Sequence, residues 1–251
     1  MVLHETKIRL SKAVLFRDAF TGEPVSSGIR IRSLSGGRVE KKSDGYFLFL
    51  DVGDKELTIE TKSPIYQARR FTLQADAGAE VSEALLYPSP SYPLRAGNTA
   101  VRGRTLPGRA LKFHLEDERS CCRLISDYKK GEAEISFYRK GGMKNVLWHI
   151  RKKQGKKGEY FALGQADGEA EVFRLGEPLE TAYLKKDTVI YPAQETIADE
   201  EGMFYLLLGD MPQEPCKLHY FYKDEAGQAC GEAEILRAKD NYVDLCKEEK
   251  K

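Results

Sequence analysis

Cysteine is missing from the first 120 residues of this chain, and the five that follow, Cys121, Cys122, Cys216, Cys230 and Cys246, form no Cys-x-x-Cys pair. An odd count with one adjacent pair excludes a regular disulfide framework. Free thiols in a reducing cytosol fit better, so a cytoplasmic protein is expected. Long apolar runs are lacking too, because no stretch approaches the roughly 20 residues that span a bilayer. At the start, Glu5, Lys7, Arg9 and Lys12 interrupt what a secretory signal keeps apolar. The sequence thus predicts a soluble chain with no membrane span and no signal peptide. Charge of one sign is absent as well. Forty basic against 39 acidic residues leave a net +1, so no global field attracts nucleic acid or anionic lipid.

Helical periodicity is scarce, whereas short alternating or apolar runs bounded by Gly, Asp, Ser and Pro recur along all 251 residues. An all-β protein is expected, with 41% hydrophobic residues to build its cores. Ile29 and Ile31 alternate with Arg30 and Arg32, and Leu57 and Ile59 with Glu56, Thr58 and Glu60, which sends apolar side chains to one face and polar ones to water. Tyr46-Phe47-Leu48-Phe49-Leu50 is apolar on both faces, as in a central strand, and enters from the turn Ser43-Asp44-Gly45.

Asp18-Ala19-Phe20-Thr21-Gly22-Glu23-Pro24-Val25, Gly28-Ile29-Arg30-Ile31, Ser43-Asp44-Gly45-Tyr46-Phe47, Leu57-Thr58-Ile59 and Tyr66 follow one another in an order that resembles the carboxypeptidase regulatory-like domain. The resemblance covers roughly residues 7 to 87. It implies an antiparallel, transthyretin-like β-sandwich at 1–87 with no catalytic role, since such modules decorate many unrelated proteins. Two departures are a short loop before the aromatic strand and Lys55-Glu56-Leu57 in place of G-x-Y-x-L.

Pro88, Pro90 and Pro93 then interrupt any ladder, making 88–96 the expected linker. This linker and the strand restarting after it are similar to those of regulatory-like proteins encoded beside phage-tail-like contractile injection systems. A second β region is expected over 97–247, with a sub-boundary near 180 and a charged tail at 248–251. Thr196 to Leu208 restates the T-D-x-x-G-x-F signature and its apolar strand, which predicts a second sandwich. Gly164-Gln165-Ala166-Asp167-Gly168-Glu169-Ala170-Glu171 matches Gly227-Gln228-Ala229-Cys230-Gly231-Glu232-Ala233-Glu234, with an echo at Gly131-Glu132-Ala133-Glu134. Each copy reads as a turn feeding a strand, glutamates to solvent and alanine inward. The spacing lacks the Asp/Asn density of a calcium loop.

Evident catalytic chemistry is missing. His4, His114, His149 and His219 include no pair at helical metal spacing. His114-Leu115-Glu116-Asp117 resembles the H-x-x-E of zinc carboxypeptidases only with Asp at its last position. Lone histidines in β-proteins usually sit at the surface or in packing. No catalytic residue, cofactor or metal is therefore expected, and an enzyme would require a pocket bringing two of these histidines to a carboxylate. Cys121-Cys122 reads as one side chain in and one out along a strand.

One basic segment stands out. Arg139, Lys140, Lys144, Arg151, Lys152, Lys153, Lys156 and Lys157 surround Trp148 with no acid among them. Such a patch can bind single-stranded nucleic acid by stacking and phosphate neutralisation. Equally, Val146, Trp148 and Ile150 can point into a core beneath solvated lysines, and the alternation favours this second reading. The sequence as a whole predicts a non-enzymatic structural or interaction protein with protein partners, within a contractile injection assembly. The alternative is a carbohydrate- or ligand-binding module relying on Tyr66, Tyr87 and Tyr92.

Overall fold

The computed structural model of the chain describes residues 8–75, 81–139, 147–155, 157–163, 171–210, 216–224 and 227–246. These residues build an all-β protein of several sheets, with one 3-10 turn at Lys185–Asp187. No helix among them is long and apolar enough to cross a membrane. The chain divides into two units, Met1–Leu94 and Arg95–Lys251, so the division falls within the proline-rich stretch 88–96.

The first unit contains β1 (Leu10–Asp18), β2 (Arg30–Ser33), β3 (Arg38–Lys41), β4 (Tyr46–Leu50), β5 (Glu56–Lys62), β6 (Arg69–Gln74) and β7 (Val81–Leu86). They form two sheets, ordered β3-β4-β1-β7 and β2-β5-β6. Val14, Phe16, Phe47, Phe49, Leu57, Ile59 and Leu86 fill the core, with Ile29, Ile31, Phe71 and Leu73 packed against it. Pairing is antiparallel except between β1 and β7, which run parallel. Alternation holds along β2, where Arg30 and Arg32 are exposed, but not along all of β5. Glu60 is buried, because Arg70 and Lys62 close over its carboxylate at 3.0 and 3.3 Å. β4 is central in its sheet, yet Tyr46 and Leu48 on its outer face are only half-buried.

Asp18 explains the Asp-x-x-Thr-Gly string. Its Oδ1 accepts the backbone N–H groups of Phe20 and Thr21, while Gly22 turns the chain at φ 73°. Its Oδ2 accepts the hydroxyls of Tyr66 at 2.8 Å and Tyr92 at 2.5 Å.

The second unit contains β8 (Asn98–Arg104), β9 (Ala110–Leu115), β10 (Arg123–Leu124), β11 (Glu134–Tyr138), β12 (Leu147–Lys152), β13 (Gly158–Ala162), β14 (Val172–Arg174), β15 (Thr188–Ile197), β16 (Met203–Asp210), β17 (Cys216–Asp224), β18 (Gly227–Ile235) and β19 (Asp240–Asp244). Three sheets result: β16-β8-β19, β10-β11-β14 and the six-stranded β13-β12-β15-β9-β17-β18, which takes strands from both sides of residue 180.

This unit repeats the strand order of the first. β16-β8-β19 matches β4-β1-β7, including the parallel pair, and β9-β17-β18 matches β2-β5-β6. The repeated T-D-x-x-G-x-F turn has the same structural place, since Gly45 (φ 91°) leads into β4 and Gly202 (φ 79°) into β16. Between β9 and β16 the chain inserts β10 to β15. Of these, β15, β12 and β13 extend the sheet from its β9 edge. Two cores follow. Val101, Phe113, Phe204, Leu218 and Tyr220 belong to the sandwich, and Leu124, Phe137, Trp148, Phe161 and Ile190 to the insertion.

Of the three Gly-Glu-Ala-Glu copies, 164–170 lies outside the described residues. In the last copy Glu232 and Glu234 are exposed while Ala233 is half-buried, but Gly231 lies within β18 and makes no turn. The echo turns at Gly131 (φ 84°) into β11 with both glutamates exposed, and Ala133 is exposed as well, contrary to the inward alanine expected. The tail 248–251 also lies outside the described residues.

Candidate functional site

The six-stranded sheet buries one face in the two cores, and strand alternation sends the neighbouring side chains to the other. On β9, Leu111 and Phe113 enter the core, so Lys112, His114 and, just beyond the strand, Glu116 share the opposite face. On β17, Leu218 and Tyr220 point inward and His219 outward, directly across from His114. On β12, Trp148 and Ile150 fill the insertion's core, leaving His149 and Arg151 on the same opposite face. β15 lies between, with Ala193 beside His114 and Tyr191 beside His149.

Three of the four histidines therefore meet. The rings of His114 and His149 stack at 3.8 Å and those of His114 and His219 at 4.9 Å. Tyr160 of β13 places its hydroxyl 2.8 Å from His114 Nδ1 and stacks its ring 5.7 Å from Phe221 of β17. In a flat sheet those two strands would stand about 19 Å apart, at about 4.8 Å per strand. The sheet is curled, and the histidine face is its concave side. Gly158 makes room for this, because a Cβ there would come within 2.5 Å of His149 Nε2.

Glu116 supplies the carboxylate. Its Oε1 lies 2.9 Å from Arg151 Nη2 and 3.6 Å from His219 Nε2. Arg151 is anchored separately, donating through Nη1 to the carbonyls of Lys152, Lys153 and Gly155. Burial, reinforced by the neighbouring His149, His219 and Arg151, pushes His114 down to about 2. Burial, then Arg151 and His219, pushes His149 down to about 3. His219 is lowered by burial against the opposing pull of Glu116 and Glu232. The imidazoles are neutral near pH 7, and burial holds the Tyr160 phenol protonated far above its ordinary range.

Among the described residues, His114 Nε2, His149 Nδ1, His219 Nε2 and Arg151 Nε are buried with no hydrogen-bond partner. A buried polar group left without a partner costs about 1–3 kcal/mol, and four such atoms lie together on this face. His114, Glu116 and His219 each offer one ligand atom, all within 4.8 Å of one another.

The sequence reading takes each histidine singly, as a surface or packing residue, and the structure packs three of them together. That reading looks for helical spacing in a chain made of strands. His114-x-Glu116 is a same-face pair at strand spacing, the one local signal that could have found the site. His219, His149 and Tyr160 reach it only through sheet register. His4 lies outside the described residues.

Five of the eight residues of the basic segment are described. Arg151 belongs to the histidine face with only 14% of its side chain exposed, Arg139 lies over the Phe173 ring, and Lys153 donates to the Lys186 carbonyl. Lys152 and Lys157 are exposed, whereas Lys140, Lys144 and Lys156 lie outside the described residues. Trp148 and Ile150 are fully buried, as the alternation predicts. Cys122 is buried and Cys121 half-exposed, one in and one out, and both are free thiols.

The chain matches no family model, no curated protein and no solved structure.

Proposed function

We propose that the chain is a non-enzymatic structural or protein-interaction protein, built from a carboxypeptidase regulatory-like sandwich and an elaborated second copy, and serving in a contractile injection assembly of the phage-tail-like kind. His114 and His219 do meet the Glu116 carboxylate, but among the described residues His114 Nε2 and His219 Nε2 are buried and line no open cleft that a substrate could enter. The observation that carries this reading is the openness of the sheets. β18 runs for nine residues without proline and pairs only with β17, so its other edge has no strand partner among the described residues. Such an edge offers backbone groups to an added strand, with the exposed Glu234 beside it and Glu232 paired with Lys217. Repetition of one strand order in both units supports modular reuse. Free thiols at all the described cysteines support a cytoplasmic setting.

The carbohydrate reading loses its platform. Tyr66 and Tyr87 are buried at 7% and 3% exposure, and Tyr66 and Tyr92 spend their hydroxyls on Asp18.

Co-expression with the neighbouring genes, followed by affinity purification of the full chain and cross-linking mass spectrometry, tests the proposal. A stable complex cross-linked near β18 is expected. A lone monomer under those conditions overturns it.

A further inference from the structure

We propose that His114, Glu116 and His219 bind a divalent first-row transition-metal ion on the concave face of the six-stranded sheet.

The donor set is the first argument. Two imidazole nitrogens and a carboxylate oxygen suit a borderline cation such as Zn²⁺ or Co²⁺, and hard cations such as Mg²⁺ or Ca²⁺ prefer oxygen alone. Geometry is the second. Bonds of about 2.1 Å place tetrahedral neighbours about 3.4 Å apart, and His219 Nε2 stands 3.6 Å from Glu116 Oε1. That distance is close to a ligand edge, and because the three atoms lie within 4.8 Å of one another and the two rings are 15° from parallel, one imidazole swings to bring both lone pairs onto the ion.

The third argument is orientation. Tyr160 holds His114 by Nδ1, leaving Nε2 as the nitrogen without a partner, and His114 is 6% exposed. An outer hydrogen bond that fixes the ring and its tautomer is the usual companion of an imidazole ligand. His219 Nε2 is likewise buried and makes no hydrogen bond. His149 stacks on His114 and so helps to hold that ring in place.

The fourth argument is the origin of the site. In the first unit the corresponding outer face of β2-β5-β6 carries the Glu60–Arg70 and Glu60–Lys62 ion pairs. In the second unit the same face carries His114 and His219, and the inserted strands close over it with His149 and Tyr160. Arg151 opposes the ion, since it already pairs with Glu116. Its guanidinium is held by three carbonyls, so Glu116 has to be shared between the guanidinium and the ion, which lowers the affinity expected.

The test uses the full chain, stripped with chelator and with its thiols alkylated, titrated with Co²⁺ by absorbance and with Zn²⁺ by calorimetry. One equivalent is expected, with ligand-field bands of a four- or five-coordinate nitrogen and oxygen set, displaced by Zn²⁺. Glu116→Gln and His219→Gln are expected to weaken binding at least tenfold, and His4→Ala to leave it unchanged. On the wild-type chain, Zn²⁺ is expected to shift the imidazole nitrogen resonances of His114 and His219 and not that of His4, a readout that stands even if a variant fails to fold. The proposal is overturned by absence of saturable binding, by unchanged affinity in both variants, by loss in His4→Ala, or by imidazole resonances that do not move. Binding of inorganic phosphate with no response to Zn²⁺ overturns it as well and makes this an anion site built on Arg151.

Discussion

The imidazoles of His114 and His149 lie face to face, 3.8 Å between centroids and 14° from parallel, in an interior that excludes protons from both. Unfolded histidine titrates near 6.5, while these two are pushed down to about 2 and about 3. Between those values and 6.5 the unfolded chain binds protons that the folded chain refuses, so stability falls as pH falls below 6.5 and is unaffected by these groups above it. From pH 7 to pH 5 the loss is about 2 kcal/mol per histidine. Trp148, the single tryptophan, is fully buried in the adjoining core and reports the transition by fluorescence. Urea midpoints are expected to drop over this range, and His149→Gln should lose about 2 kcal/mol less than wild type. Equal losses would mean that His149 titrates normally.

Gly158 is the position where the histidine face tolerates no side chain. A Cβ there meets His149 Nε2 at 2.5 Å and presses on the Ile150 carbonyl across the β12–β13 pair. Gly158→Ala is expected to destabilise the second unit by about 1–3 kcal/mol and to displace His149 from its stack on His114. Imidazole chemical shifts check the displacement. A Gly158→Ala chain with wild-type stability and unaltered His149 shifts contradicts the account of the packing.

Asp18 gathers four donors, two backbone and two phenolic, in the first unit. Hydrogen bonds to a charged group contribute about 1.5–3 kcal/mol each. Tyr66→Phe should therefore lower stability by about that amount, and Asp18→Asn by more, since an amide NH₂ then faces both hydroxyls. Hydrogen exchange resolved by peptide is the measurement. Faster exchange across β1 and β5 is expected, with the second unit unchanged, and protection equal to wild type in Asp18→Asn would show that the cluster contributes little.

The strands of this protein are written in local alternation, which is why Leu57 and Ile59 face the core and Arg30 and Arg32 face water as the pattern implies. The second sandwich was legible in the Asp199-to-Leu208 signature for the same reason, because a turn and the strand after it are local. Glu60 departs from its alternation because its cations come from Lys62 on its own strand and from Arg70 on the next, and the pattern of β5 alone does not reveal that closure. The site was legible only as His114-x-Glu116. His219 meets His114 through the β9–β17 register, and His149 joins through β15, pairings between strands far apart in the chain. Curling of the sheet, which brings Tyr160 onto Phe221, leaves no mark in any single strand.

The basic segment makes the last prediction, because its charge in sequence and its charge in space differ. Arg151 is neutralised against Glu116 and fixed by carbonyls, Lys153 is tied to Lys186, and Trp148 has no exposed ring on which a base can stack. Stacking contributes about 1–3 kcal/mol per base in single-strand binders, and without it the described part of the segment offers phosphates the exposed Lys152, Lys153 and Lys157. Filter binding of single-stranded DNA is expected to show no sequence preference, weak retention at low salt and none near physiological ionic strength. Substituting Lys152, Lys153 and Lys157 with Gln should remove what retention there is. Retention that survives physiological salt, or that Trp148→Phe abolishes while the fold is intact, would place a nucleic-acid surface here after all.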